Sequence, residues 1–514
     1  MKGLSSTDYI AVLLYLCAIA AIGGSFYRRH STAKDYFLGG RAMSWLPVGV
    51  SIIAADLSSI SVISTPAWSY SHNIQLLWVT VGYPLVAPIV ILVFVPFYSR
   101  LNLYTAYEYL ERRFNVRVRL LISALFLMLR SWHVAVAVYG PALVINLVTG
   151  INVWECILMM GLFTTFYTTL GGMKAVIWTD VIQFVTVISG ITLISVIALH
   201  HVPGGAVTAF RVARDAGKLN LLNLSTDPKQ LTSLWACLIG GAILALAPLT
   251  TDQAILQRLF TTKSTADCRQ SVIIQAILIV PIIGMLYLAG LALFAFYRFN
   301  PSHLHGLTNT DAIVPFFTVS ELPTGIAGLV IAAIFAASMA VMSAGINSLT
   351  TATTVDFYQR VFRPNAPAEH YAKVGRVGTA CWGVVVTLLA LLASHAGALA
   401  IAYVRISSLL SGPMLGIFLL GALTRRTTAT GAMAGAVAGS CAAALALIAT
   451  QWSFLYFGAI GASVTVAVGY TASLFTPPPR PEQTRGLVMG DGVAGESSNF
   501  LELPHYAESN WTTP

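Results

Sequence analysis

Long, unbroken runs of apolar residues constrain this chain more than any other feature. Thirteen stretches stand out, at about 8–27, 45–71, 74–98, 119–149, 152–172, 175–200, 233–257, 271–297, 323–353, 375–395, 397–424, 429–450 and 454–475. Most are close to the roughly 20 residues that cross the hydrocarbon core of a bilayer as a helix. Lipid offers no hydrogen-bond partners, so each run must satisfy its own backbone. The chain therefore reads as an all-α integral membrane protein with about 13 transmembrane helices. Composition agrees: 56% of the 514 residues are hydrophobic and 10% are charged, where soluble domains carry roughly 25% charged residues. A soluble enzyme is excluded. The six cysteines, at 17, 156, 237, 268, 381 and 441, show neither a CxxC nor close spacing, which argues against a zinc site or a disulfide framework.

The formal net charge of +9 bears on topology and not on nucleic acid, because most of the cations fall in alternate loops. Arg28, Arg29, Arg112, Arg113, Arg117, Arg258, Arg360, Arg363, Arg425 and Arg426 all lie on one side if the spans alternate. The positive-inside rule then sets the N-terminus outside and the C-terminus inside a plasma membrane, or the inner membrane of a bacterium. The first run lacks an Ala-x-Ala-like cleavage site and reads as a retained helix. Thr7 or Asp8 is placed to cap it. Residues 201–232 and 298–322 read as long outer loops, and the Pro/Gly/Ser/Glu-rich tail 476–514 as a disordered cytoplasmic segment. That tail is too short for a signalling domain, which weakens a receptor reading.

Two spans carry internal punctuation. SIIAADLSSISVIS at 51–64 places Asp56 with Ser58, Ser59, Ser61 and Ser64 in mid-span, and near 241–253 Gly240-Gly241 is followed by Pro248, Thr250, Thr251 and Asp252. An intramembrane ionisable group is costly unless it faces protein or water. Interrupted spans in corresponding places of two halves point to an inverted-repeat transporter with unwound backbone at a central site. The interrupted spans are the second and seventh, a spacing of five. The expected organisation is an extra helix and inner loop at 1–44, a first five-helix repeat at 45–200, an outer loop at 201–232 and a second repeat at 233–424. Two further helices follow at 425–475, before the tail.

At this point the sequence resembles the sodium:solute symporter family. The marks are DYFLGGR at 35–41, GGMKAVIWTDVIQ at 171–183, TDQAILQR at 251–258, INSLTTATTVDFY at 346–358 and SGPMLGIFLLG at 411–421. Each motif alone is weak, but five in order, at the right topological places, are strong. The flavour is that of the sialic acid, monocarboxylate and multivitamin branches, with YGPALVINLVTG at 139–150 closest to the monocarboxylate, vitamin and iodide transporters. The resemblance implies a leucine-transporter-type fold of five plus five helices and alternating access around a site between the two broken helices. It also implies a sodium site built from the carbonyls of Ala54, Leu57 and Ala337 with two adjacent hydroxyls on the eighth core helix. Ala340 and Val341 stand at those hydroxyl positions, and neither offers a side-chain acceptor. The usual sodium site therefore reads as degraded. Sodium held by other oxygens, with Asp180, Ser338 and Ser343 as candidates, competes with coupling to a proton.

Asp56 is the candidate proton carrier, and DLSS also allows it to cap the second half-helix by accepting backbone N–H groups. Ser58, Ser61, Thr80 and His133 fall where relatives of this kind bind substrate. His133 stands where the resemblance places the carboxylate-binding arginine of sialic acid transporters, with Arg130 one turn earlier as an alternative. AILALAPL at 242–249 supplies none of the polar side chains a sugar pocket needs. The expected function is secondary active symport of a small organic solute, an organic acid or amino acid, with the lipid bilayer and that solute as partners. No cofactor beyond a sodium ion or proton, no nucleic acid and no obligate protein partner is implied. An uncoupled facilitator or channel is the competing class, though the repeated pore rings of a channel are absent. An intramembrane enzyme would need a motif such as HExxH, which is also missing.

Overall fold

The computed structural model describes residues 4–26, 32–305, 307, 309–395 and 398–489. Apart from one isolated bridge between Met43 and Thr262, its ordered elements are helical. Helix α1 (Ser6–Ser25) is capped by Ser5, with Asp8 completing the capping box. The Asp8 carboxylate also accepts the backbone N–H groups of Gly325 at 2.7 Å and Gly328 at 2.9 Å. The cap is thus Ser5 and not Thr7 or Asp8, and Asp8, in the first turn, also binds the start of a helix more than three hundred positions away. The short α2 (Ala33–Leu38) leads to α3 (Trp45–Asp56) and α4 (Ser59–Ser71), which are bent by 64° at their junction. A 3-10 turn (Gln75–Val81), α5 (Gly82–Ile89), a π-turn (Val90–Phe94) and α6 (Val95–Leu101) together make one apolar span. Here α5 crosses α11 (Leu234–Thr251) backbone to backbone. A Cβ on Gly82 would lie 2.1 Å from the carbonyl carbon of Gly241, and one on Gly241 would lie 2.2 Å from the Val79 carbonyl oxygen.

The polar helix α7 (Ala106–Arg113) precedes α8 (Val116–Thr149) and the 48-residue α9 (Val153–His200). At 1.5 Å per residue α9 would be about 72 Å long, more than twice a roughly 30 Å hydrocarbon core. It cannot be one straight span. Gly172 (φ 54, ψ −159) breaks it, and the close approach of the Tyr36 carbonyl, 2.9 Å from where a Cβ would sit, admits no side chain. The expected boundary between the runs at 152–172 and 175–200 falls at this residue.

The segments expected to be plain loops contain helices, α10 (Gly205–Asp215) in the first and α14 (Ile313–Glu321) in the second. Both bury apolar residues, among them Ala209 and Phe317. Between them, α11 is followed by α12 (Gln253–Phe260) and α13 (Thr265–Phe299). The molecule is centred on α15 (Ile326–Ala352), whose small side chains let α1, α3, α4, α8 and α9 pack closely around it. It runs on through a π-turn (Thr353–Phe362) to α16 (Ala368–His395), α17 (Ala398–Leu423), α18 (Ala429–Ala449) and α19 (Phe457–Leu474).

Among the described residues ten helices are long and apolar enough to cross a membrane, or eleven if the bent α3–α4 pair is one span. The expected number of thirteen thus differs from a count by length and composition, which takes α9 as one helix and does not reach α17. The tail also differs from expectation. Leu487 and Val488 are buried, Gln483 donates to the Phe114 carbonyl at 2.7 Å, and the Met489 N–H donates to the Ala422 carbonyl at 2.7 Å. Residues 480–489 therefore dock on the helix ends they pass, while 490–514 lie outside the described residues. The segment is polar in composition, but two apolar side chains in the right place suffice to seat it.

Candidate functional site

The first break exposes backbone oxygens. Leu57 (φ −79, ψ 81) still donates to Ile53 at 2.8 Å, but the Ser58 N–H turns back to the Asp56 carbonyl at 3.0 Å. In a continuous helix that N–H would serve Ala54. The Ser61 N–H, the helical donor to Leu57, is taken instead by the Ser58 hydroxyl at 3.3 Å. The break thus withdraws the helical donors of Ala54 and Leu57, the two carbonyls assigned to sodium from the resemblance. Such released carbonyls suit a hard cation.

The same geometry corrects the reading of Asp56 as a cap. Ser58 is the N-cap of α4, and Asp56 is the last residue of α3. Its carboxylate accepts from the Tyr83 hydroxyl at 3.3 Å and from the Gln275 amide at 3.1 Å. Both partners are neutral donors that periodicity did not single out, although a glutamine in mid-span was a signal of the same kind as Asp56. Ser61 lies 3.3 Å from the Ser58 hydroxyl. Thr80 sits in the 3-10 turn and donates to the Leu77 carbonyl at 2.7 Å.

The second break falls at Asp252, at the end of the expected stretch, while Gly240 to Pro248 stay helical within α11. Asp252 caps α12 by accepting the Ala254 N–H at 2.7 Å, and its other oxygen faces Arg130 of α8 at 3.4 Å. Arg130 is only 7% exposed, and among the described residues its Nε and Nη2 have no hydrogen-bond partner. Asp56 lies within electrostatic reach of both Arg130 and Asp252. The acids of both breaks therefore lie within the field of one buried, incompletely paired guanidinium, with Asp252 in direct contact with it. His133, one turn along α8, is half-buried.

Asp180 occupies a separate centre. It pairs with Arg258 at 2.8 Å, accepts from Ser51 at 2.5 Å and from Ser343 at 3.4 Å, while Arg258 Nε donates to Ser51 at 2.7 Å. These four buried residues tie α3, α9, α12 and α15 together. Asp180 and Ser343 are both among the oxygens named from the sequence, whereas Ser51 is not and Arg258 is counted there only among the cations of the loops. Ser338, by contrast, donates to Ser59 at 2.8 Å and to the Ala137 carbonyl at 3.1 Å, linking α15 to α4 and α8. Ala337 is buried on α15, and Ala340 and Val341, also buried, present only hydrocarbon.

A third cluster lies at the end of the long α15 segment. Asp356 accepts from Arg119 at 2.7 Å, Thr105 at 2.6 Å and Ser123 at 2.8 Å, and Arg119 also pairs with Glu111 at 2.8 Å. Glu111 in turn binds Arg360 at 2.7 Å.

A helical membrane protein with two broken spans meeting at a polar centre belongs to the class of alternating-access transporters. The sequence matches the model of the sodium:solute symporter family over residues 36–439, and the chain belongs to that family. It is 35% identical to the sodium/sialic acid symporter NanT of Aliivibrio fischeri over 92% of this chain and 94% of that one. It is 29% identical to human sodium-coupled monocarboxylate transporter 1 over 98% of this chain and 80% of that one. The solved structure of a Na+-coupled sialic acid symporter, substrate-bound, outward-open and with a novel Na+ site, superposes with a TM-score of 0.85 at 31% identity. It covers 92% of this chain and 99% of that chain. The protein is thus a multi-pass solute symporter of the leucine-transporter fold and not an enzyme.

Proposed function

We propose that the protein carries a small organic carboxylate together with sodium, and that the solute binds between the two breaks with its carboxylate on Arg130. The observation that carries this reading is the buried guanidinium beside the α11–α12 break whose Nε and Nη2 lack partners among the described residues. A buried donor left unpaired is costly, and a carboxylate is the ligand that fits a guanidinium edge best. Sialic acid and monocarboxylates, the solutes of the relatives, share that group. Ser58, Ser61, Thr80 and His133 are the polar residues proposed to meet the rest of the solute, with Asp56 at its edge. The same reading keeps the repeats at 45–200 and 233–424, an N-outside and C-inside orientation, and a cytoplasmic membrane.

For sodium, the released carbonyls of Ala54 and Leu57, with Ala337, supply one set of oxygens, and Asp180 with Ser343 a second. A second reading, proton carriage by Asp56, is favoured by its having, among the described residues, the neutral donors Tyr83 and Gln275 as its hydrogen-bond partners. Uptake of N-acetylneuraminate and of lactate into proteoliposomes, driven by a sodium gradient or by a pH gradient alone, tests both. Arg130→Gln should weaken carboxylate binding by about 2–5 kcal/mol, the cost of removing one partner of a buried charged pair. Unchanged apparent affinity in that variant overturns the assignment. Concentrative uptake by Asp56→Asn eliminates the proton reading.

A further inference from the structure

Helix α10 has two unlike faces. Ala209 and Ala213, one turn apart, are buried, and Ala209 joins a cluster with Ala198 of α9 and Phe296 of α13. Val207, Phe210, Arg211 and Arg214 are spaced by three and four positions and so share the opposite face. All four are exposed, Val207 at 71% and Phe210 at 46%. A helix that seats one side on protein and turns bulky apolar and arginine side chains outward together has the build of an element lying in a membrane interface.

The surroundings fit that level of the bilayer. α10 begins at Gly205, directly after α9 ends at His200. Val196 near that end of α9 and Phe299 at the end of α13 are exposed apolar side chains, which carry the hydrocarbon-facing surface of both spans up to α10. Arg298, exposed in the last turn of α13, adds a third cation. The acid of α10, Asp215, faces Arg214 at 3.4 Å, but both side chains are exposed and such a pair is weak. On its inner side the helix is tied to the transport machinery. Lys218, in the turn that ends α10, donates to the Tyr70 carbonyl at 2.5 Å and to the His72 carbonyl at 3.0 Å, and its ammonium lies 4.3 Å from the centre of the Phe294 ring. Those two carbonyls belong to the end of α4, the second half of the first broken span.

We propose that α10 docks on the phospholipid surface, with Val207 and Phe210 among the upper acyl chains and Arg211 and Arg214 at the phosphates. Arginine suits this depth because its stem covers apolar surface while the guanidinium reaches the headgroup. The bilayer then bears on one side of α10 and the end of the broken span on the other. The test uses full-length protein in phosphatidylcholine vesicles, with and without phosphatidylglycerol, and compares the tryptophan emission of Phe210→Trp with that of the unsubstituted protein. The added emission should be blue-shifted and largely lost in vesicles of lipid brominated in the upper acyl chain, with little further loss to aqueous iodide. Arg211→Glu with Arg214→Glu, both at exposed positions, should weaken that quenching, and more so with phosphatidylglycerol present, because anionic lipid attracts surface cations. Added emission at the wavelength of an indole in water, insensitive to brominated lipid, would overturn the proposal. So would a blue shift that vanishes as the protein is diluted in lipid, which would make a second copy of the chain the occupant. Quenching identical in the charge-reversed protein would overturn the phosphate contact.

Discussion

At the scale of single residues, the buried pair of Asp180 and Arg258 sets the sharpest expectation. Taking one charge from a buried pair leaves the other uncompensated, which costs about 3–5 kcal/mol. Asp180→Asn should therefore lower the unfolding midpoint of the detergent-purified protein strongly, and Asp180→Asn with Arg258→Met should recover part of the loss. Additive losses in the double variant would show that the two side chains do not act as a pair. A second expectation concerns the missing hydroxyls. Ala340→Ser with Val341→Ser should shift sodium activation of uptake to lower concentrations, and an unchanged sodium response would mean that these positions do not reach the ion. Residue-scale features were only partly legible in the sequence. Asp56, Asp180 and Ser343 stood out because a polar group in an apolar run is conspicuous. Their partners Tyr83, Ser51 and Gln275 did not, since a tyrosine, serine or glutamine in a membrane helix often bonds its own backbone, and which neighbour it meets depends on packing between distant spans.

At the scale of elements, the small helix α7 joins the ends of others. Glu111 on it lies outside the membrane spans. Burial pushes its carboxyl up, but hydrogen bonds and charges from Arg360 and Arg119 outweigh this and hold it below the usual value of 4.5. A carboxylate depressed in the folded state contributes stability that is fully present above its unfolded pKa and is lost as pH falls through the folded one. The midpoint should therefore fall on acidification below about pH 4.5, the carboxylate's ordinary value, and the acid limb should be shallower in Glu111→Gln. An identical acid limb in that variant would remove Glu111 from the account. The docked tail meets the same region, with Tyr109 of α7 donating to the Leu487 carbonyl at 3.2 Å. Truncation after Arg480 should release α7 and speed its proteolysis without unfolding the spanning helices, and unchanged cleavage would show the docking to be incidental. Composition led to the expectation of disorder there, because a two-residue apolar contact is invisible against a run rich in Pro, Gly and Glu.

At the scale of the whole molecule, the architecture was the most legible part, since apolar run length and the five-span offset between Asp56 and Asp252 are properties of the sequence. Run lengths also divided α9 correctly, since the runs at 152–172 and 175–200 part at Gly172, the residue whose conformation breaks the helix. Sodium that binds only the folded protein must stabilise it, by about 2.7 kcal/mol at one hundred times its dissociation constant. Exchange of sodium chloride for choline chloride at matched ionic strength should therefore lower the midpoint, and sodium should tighten carboxylate binding by the same factor as carboxylate tightens sodium. Equal midpoints in the two salts would leave coupling without a sodium site. The seat of residues 480–489 has one more consequence, in biogenesis. Chains emerge from the ribosome N-terminus first, so α7 and the end of α17 reach the membrane before the segment that covers them exists. That surface therefore stays uncovered while α18 and α19 are being made, and the seat closes over helices that have already entered the membrane.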